Sequence, residues 1–240
     1  MPNFPLSMQR RGLSAAALVL TMLAAAAFAV PAHAGDCAAY AGPGVNWQDC
    51  DKGTLMLRGS DLAGSVLIDT DFTSTDLRDA NLAGANLEKA TLLRSSLAGA
   101  RADKANFSRI EAYRTSFAGM SAQGASFASA ELQRADFSGA NLTGADFQKA
   151  ELGRANFDKA TITGTRFNLA NLSRAQLAGA VYEGPIDLTD AFLFLTRIEG
   201  MDLSAAVGLD QWQVDLACGD AGTKLPAGLK PAPNWPCSFN

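Results

Sequence analysis

From about Leu57 to Tyr182 a large apolar residue returns at every fifth position. Leu62, Leu67, Phe72, Leu77 and Leu82 open the series, and Phe147, Leu152, Phe157, Ile162 and Phe167 continue it. Two residues before most of them stands a small one, among them Ala80, Ala85, Ala130 and Ala140. Helices space their apolar residues by three and four and strands by two, so a strict five fits neither. It fits a chain that turns a corner after each pentapeptide, so that the large residue and the small one before it both point inward. Glycine supplies the number of sides. It occupies the second position after the large residue at Gly64, Gly84, Gly124, Gly144, Gly164 and Gly184, and on another side at Gly99, Gly119, Gly139 and Gly179. These recurrences are twenty residues apart or multiples of it, so four pentapeptides complete one circuit. The predicted architecture is a square coil repeated along the chain and stacked through backbone hydrogen bonds at about 4.8 Å. Roughly six and a half such coils make a rod about 30 Å long, with a columnar core in which each coil touches only its neighbours.

Departures from the period carry their own predictions. Ala102, Ala112 and Ala122 stand where a large residue belongs, and Ile110 and Met120 occupy the small position just before two of them. Volume is thereby exchanged between inward sites, as a close-packed core requires. Ala102 follows Ala100 and lacks this repair, so packing should be thinnest there. After Tyr182, Glu183-Gly184-Pro185 adds one residue, and Leu188, Leu193, Ile198 and Leu203 then resume the spacing for one more coil. Beyond it the pattern turns helical. Leu209, Trp212, Leu216 and Ala217 share a face, Asp210 and Gln213 form a capping box, and Gly219 is placed to stop the helix. This helix is expected to cover the apolar end of the rod, with Trp47 covering the other, while the proline-rich tail wraps irregularly.

Residues 1–34 read as a signal peptide cleaved after Ala34: Arg10 and Arg11, an apolar run from Ala15 to Val30, then Pro31-Ala32-His33-Ala34. Its removal takes two arginines and no acid, so 18 basic against 24 acidic residues leave a net charge of −6. It also takes His33, the single histidine. The mature chain then has no imidazole for acid–base catalysis or metal binding. With no phosphate loop and a filled core, no catalytic residue, metal or cofactor is expected. Four cysteines in an exported chain read as disulfides. Pairing of neighbours, Cys37 with Cys50 and Cys218 with Cys237, suits a rod that separates the pairs. The expected divisions are therefore a signal peptide over 1–34, an N-terminal cap over 35–56, a repeat coil over 57–204 and a C-terminal cap over 205–240.

With motif and period established, the chain resembles the pentapeptide-repeat family over about 57–204. The resemblance implies an all-β fold, a right-handed quadrilateral β-helix, here with a short C-terminal capping helix. The ends, Val45 to Cys50 and Ala217 to Cys237, are similar to those of exported bacterial members. Fold alone does not decide function. Some members act as DNA mimics against topoisomerase; the acidic charge suits that role, whereas export does not.

Outward positions are where a function can be written. Arg94, Arg114, Arg134, Arg154 and Arg174 share one position on one side in five successive coils. Three residues before the middle three are Glu111, Glu131 and Glu151, facing outward from the same side. One reading is a basic stripe about 19 Å long that tracks an anionic envelope polymer or ligand. The other is that the arginines pair with the glutamates and cover apolar surface with their stems. Asp136, Asn141, Asp146 and Asn156 are expected to bond backbone at turns rather than hold calcium. The sequence thus predicts a non-enzymatic periplasmic or secreted scaffold, monomeric or dimeric. A protein or anionic polymer would be its partner, with no nucleic acid and no membrane span in the mature chain.

Overall fold

A computed structural model describes residues 35–238; the expected signal peptide lies outside the described residues. The described chain is a stack of square coils joined by parallel bridges offset by twenty residues, such as Asp71 to Thr91, Glu111 to Glu131 and Asn141 to Thr161. From Leu57 to Leu172 the inward residues tie the coils together in the same way. Phe127 N–H donates to Asp146 O at 2.7 Å, Asp146 N–H returns to Ala125 O at 3.0 Å, and Ala130 N–H closes the corner on Phe127 O at 3.1 Å. Each pentapeptide therefore satisfies its backbone partly by a turn and partly by its neighbouring coils. The second position after the large residue has left-handed φ from Asp49 to Gly200, near 64° at Gly84, Gly124 and Gly164. Glycine recurs there because this conformation carries no penalty without a Cβ.

The core is a column. Phe107, Phe127, Phe147 and Phe167 stack along one side with centroids 4.7–5.4 Å apart. Phe117, Phe137 and Phe157 stack along the opposite side at 4.8 and 5.2 Å. The two columns meet edge to face in the middle, at 5.5–6.2 Å, a favourable arrangement of ring quadrupoles. The series begins where Ala102, Ala112 and Ala122 give up volume, and Ile110 and Met120 are buried beside it. At other small positions threonine replaces alanine because its hydroxyl finds a carbonyl in the coil before. Thr70 Oγ1 donates to Trp47 O at 2.7 Å and Thr165 Oγ1 to Leu142 O at 3.0 Å.

The coil starts earlier than its apolar period. Bridges run from Asn46, Asp51 and Met56, so the first circuit lies within the segment expected to be a cap. Trp47 takes an inward position and donates from Nε1 to Ala39 O at 3.1 Å. Lys52 takes the next one. It is buried with its Nζ 4.1 Å from the centre of the Trp47 ring, donating to Cys37 O at 2.8 Å. Cys37 is bonded to Cys50 and Cys218 to Cys237.

At the other end the helix, α1, spans Gln211–Leu216. Asp210 N–H donates to Gln213 Oε1 at 2.8 Å, the glutamine half of the expected capping box. Trp212 does not cover the core as expected and is 44% exposed. The covering residues are Val214 and Gln213, both buried. Gln213 Nε2 donates to Leu188 O at 2.8 Å and Ala191 O at 2.9 Å, adding to the corner bond that Leu188 O already accepts from Ala191 N–H at 3.0 Å. Nor does Gly219 end the helix, which caps at Ala217. Gly219 instead admits Trp235, whose ring would lie 2.5 Å from a Cβ there; Trp235 Nε1 donates to Ala217 O at 2.7 Å.

Candidate functional site

The five column arginines stand at successive corners of one side, all exposed. Each occupies the left-handed corner position, with φ of 57° at Arg94 and Arg114, 60° at Arg134 and Arg154, and 58° at Arg174. Four coil steps of about 4.8 Å carry the column over about 19 Å. The glutamates do not partner them. Among the described residues no ion pair joins any of the five to Glu111, Glu131 or Glu151. Glutamate opens the side and arginine closes it at the next corner, so the two columns run along opposite edges. Glu151 Oε2 accepts instead from Asn171 Nδ2 at 2.8 Å, one coil on.

The contrast with other arginines is sharp. Arg58 pairs with Asp79 at 2.8 Å, Arg78 with Asp76 and Arg166 with Asp146 at 2.6 Å each, Arg109 with Glu88, and Arg197 with Glu199. The Arg78 guanidinium holds the Asp76 carboxyl down at about 2. Several outward columns thus pair acid with base; among the described residues the arginine corner does not. Arg114 lies 5.2 Å from the centre of the Tyr113 ring. The side ends in two further residues absent from the sequence reading. Phe192 and Phe194, 43% and 40% exposed and stacked at 6.3 Å, continue the two outward columns above Asn171 and Ser173.

The aspartates and asparagines ahead of the core positions serve the backbone. Asp136 accepts from Ser138 N–H at 3.1 Å, Asn141 from Thr143 at 3.2 Å, and Asp146 and Asn156 from Gln148 and Asp158 at 3.0 Å. Asn156 also donates to Asp136 at 3.0 Å across one coil step. Their oxygens are thus committed to turns and to asparagine ladders. The four cysteines lie in the two caps, away from the arginine corner.

A coil of four-sided turns with outward columns of polar side chains defines a repeat solenoid of the quadrilateral β-helix class. The chain belongs to the pentapeptide repeat family: the family model for a pentapeptide repeat region matches residues 99–177, and that for eight-copy pentapeptide repeats matches 57–88 and 75–110. Among solved structures it is similar to HetL, a pentapeptide repeat protein involved in heterocyst differentiation regulation in Nostoc sp. strain PCC 7120. The two are 25% identical over 80% of this chain and 94% of that one, with a TM-score of 0.44. A pentapeptide repeat protein of the Arabidopsis thaliana thylakoid lumen is 27% identical over 41% of this chain and 69% of its own, with a TM-score of 0.41. Full-length QnrB1, a plasmid-mediated fluoroquinolone resistance protein, is 15% identical over 76% and 91%, with a TM-score of 0.37. No curated protein matches the chain.

Proposed function

We propose that this protein is a non-enzymatic interaction scaffold, exported from the cytoplasm, whose arginine corner engages an anionic partner. One observation carries the reading: five exposed guanidinium groups share one column, and among the described residues none forms an ion pair with a carboxylate. A row of fixed positive charge on an acidic protein attracts polyanions selectively to one side. It has the wrong sign for mimicry of DNA. The two disulfides suit an oxidising compartment, which supports export, and so do the basic start and the apolar run of residues 1–34.

The test is a salt titration of binding to polyphosphate and to polyglutamate, beside a variant carrying Arg114→Ala, Arg134→Ala and Arg154→Ala. Binding should weaken with salt, and the variant should flatten that dependence by about one unit of slope per arginine removed if each contacts one anionic group. Binding that the three substitutions leave unchanged refutes the arginine corner as a site. Export is tested separately by sequencing the N-terminus of the native protein. A start at Gly35 is expected; a start at Met1 removes the compartment argument and returns topoisomerase to consideration.

A further inference from the structure

The side that carries the arginines is complementary to itself. Its outward residues form two edge columns, one just before each inward residue and one at the left-handed corner that closes the side. The first runs through Glu111, Glu131, Glu151 and Asn171 to Phe192, joined rung by rung by parallel bridges. The second runs from Arg94 to Arg174 and ends at Leu195, which takes the same left-handed corner with φ of 54°.

Along the rod the two columns change together. Glu111 shares a rung with Arg114, Glu131 with Arg134 and Glu151 with Arg154. Asn171 shares the next with Arg174, and one coil further both members turn apolar at once, Phe192 with Leu195. Within one chain the charged members of a rung do not meet. Among the described residues no ion pair joins them, and all three glutamates are exposed. Glu151 commits one oxygen, Oε2, to Asn171. Between the columns the side is low, with Gly153 and Ser173 outward, and Tyr113 and Phe194 stand exposed towards its two ends.

We propose that this side is a dimer interface, occupied by the same side of a second copy, with the two rods parallel and a two-fold axis running between them. The inference rests on the arginine corner being a site for an anionic partner, and it names that partner. A half-turn about an axis parallel to the rods exchanges the two edges of the facing side and leaves height along the rod unchanged. Each glutamate then faces the arginine of its own rung in the other copy. Three charged rungs, each used twice, give six such pairs. The apolar rung closes in the same way, Phe192 against Leu195 of the other copy. Tyr113 and Phe194, between the columns, fall near the axis, and aromatic and arginine side chains are the common anchors of protein interfaces. Antiparallel rods would instead set glutamates against glutamates and arginines against arginines, a like-charge arrangement that disfavours it. One arrangement thus accounts both for unpaired acids and bases on the same rungs and for their joint replacement at Phe192 and Leu195.

The experiment is analytical ultracentrifugation of the purified protein over a concentration series at low and high salt. A dimer that dissociates as salt rises is expected. Glu131→Arg and Arg134→Glu should each weaken it about tenfold or more, since each sets like charges together twice across the axis. Mixing the two variants should restore a one-to-one heterodimer, because each supplies the charge the other lacks on that rung. Mixing Glu131→Arg with Arg154→Glu, one coil out of step, should not. If either rung variant misfolds by circular dichroism, Glu111→Arg and Arg114→Glu repeat the test one coil earlier. Replacing Glu111, Glu131 and Glu151 by glutamine should weaken the dimer while leaving polyphosphate binding in place, which separates this inference from the wider reading of the corner. The proposal is overturned if the natural chain stays monomeric throughout the series, if either single reversal leaves the dimer unchanged, or if the out-of-step mixture pairs as well as the in-step one. In any of those cases, polyphosphate binding that still depends on the arginines leaves the corner a site for another anion, and its absence removes that reading too.

Discussion

The arginine corner makes an unusual stability prediction, because its residues occupy a conformation that glycine prefers. Left-handed φ costs a residue with a Cβ about 1–2 kcal/mol. Glycine removes that cost but returns about 0.5–1 kcal/mol through its freer unfolded state. Each Arg→Gly change at the corner should therefore stabilise by about 0.5–1 kcal/mol. The equivalent corners at Gly84, Gly124 and Gly164 show that the fold accepts glycine there, with φ of 64° at each. Arg94, Arg134 and Arg174 stand two coils apart, about 9.6 Å, far enough for effects to add. The triple glycine variant should gain about 1.5–3 kcal/mol, which for a domain of this size raises Tm by roughly 3–12 °C. The triple alanine variant keeps each Cβ and loses only unpaired charge, so its stability should change by no more than about 0.5 kcal/mol per site. Chemical denaturation followed by circular dichroism measures both. If the alanine variant loses much more than this, the arginines carry stabilising contacts; if the glycine variant is less stable than the natural chain, the backbone argument fails.

Three further outcomes follow from the core, the cap and Tyr182. Phe127 stacks between Phe107 and Phe147 at 4.8 and 4.7 Å, so Phe127→Ala should cost about 3–5 kcal/mol in urea denaturation, and a loss below about 1 kcal/mol would mean the column is loosely packed. Replacing Cys218 and Cys237 by serine opens a bridge of sequence separation 19 and should cost about 3 kcal/mol; if Trp235 fluorescence reports no earlier cap opening, the bridge is not what holds the tail. Burial, then the nearby Asp202 carboxylate, pushes the Tyr182 hydroxyl up from 10.0 to about 12. Because the folded value is the higher one, the associated stability is complete below pH 10.0 and lost as pH climbs through about 12; Tyr182→Phe should remove the late-titrating tyrosinate absorbance, and an unchanged titration curve would contradict the burial.

Much of this fold was legible because its period is exact in kind: the large residue every fifth place, glycine corners twenty apart, and the single extra residue at 183–185 all survive in the structure. What stayed hidden involves polar groups doing the work expected of apolar ones. Lys52 is inward because an aromatic ring and the Cys37 carbonyl receive its head, and no apolar pattern marks that. Trp212 was assigned inward from helical spacing, yet Gln213, the next residue round the helix, turns inward because two carbonyls of the coil below receive its amide. The arginine column was visible as a column, but the width of a side, which keeps it from the glutamates, is a three-dimensional quantity. The break in pairing between Val181 and Asp202, which no bridge joins among the described residues, was hidden for a related reason. Sequence shows where a residue is inserted, not which of four sides will fail to absorb it.

The twenty-residue bridge offset has a consequence for how such a chain can lengthen. A duplicated block of one full circuit adds a rung and leaves every column aligned and both disulfide-bonded caps intact. An insertion of any other size rotates everything downstream onto different sides, unless one side opens to take up the difference. Length in this molecule is therefore counted in whole rungs, and Glu183-Gly184-Pro185 is the place where the count was broken and the coil still closed.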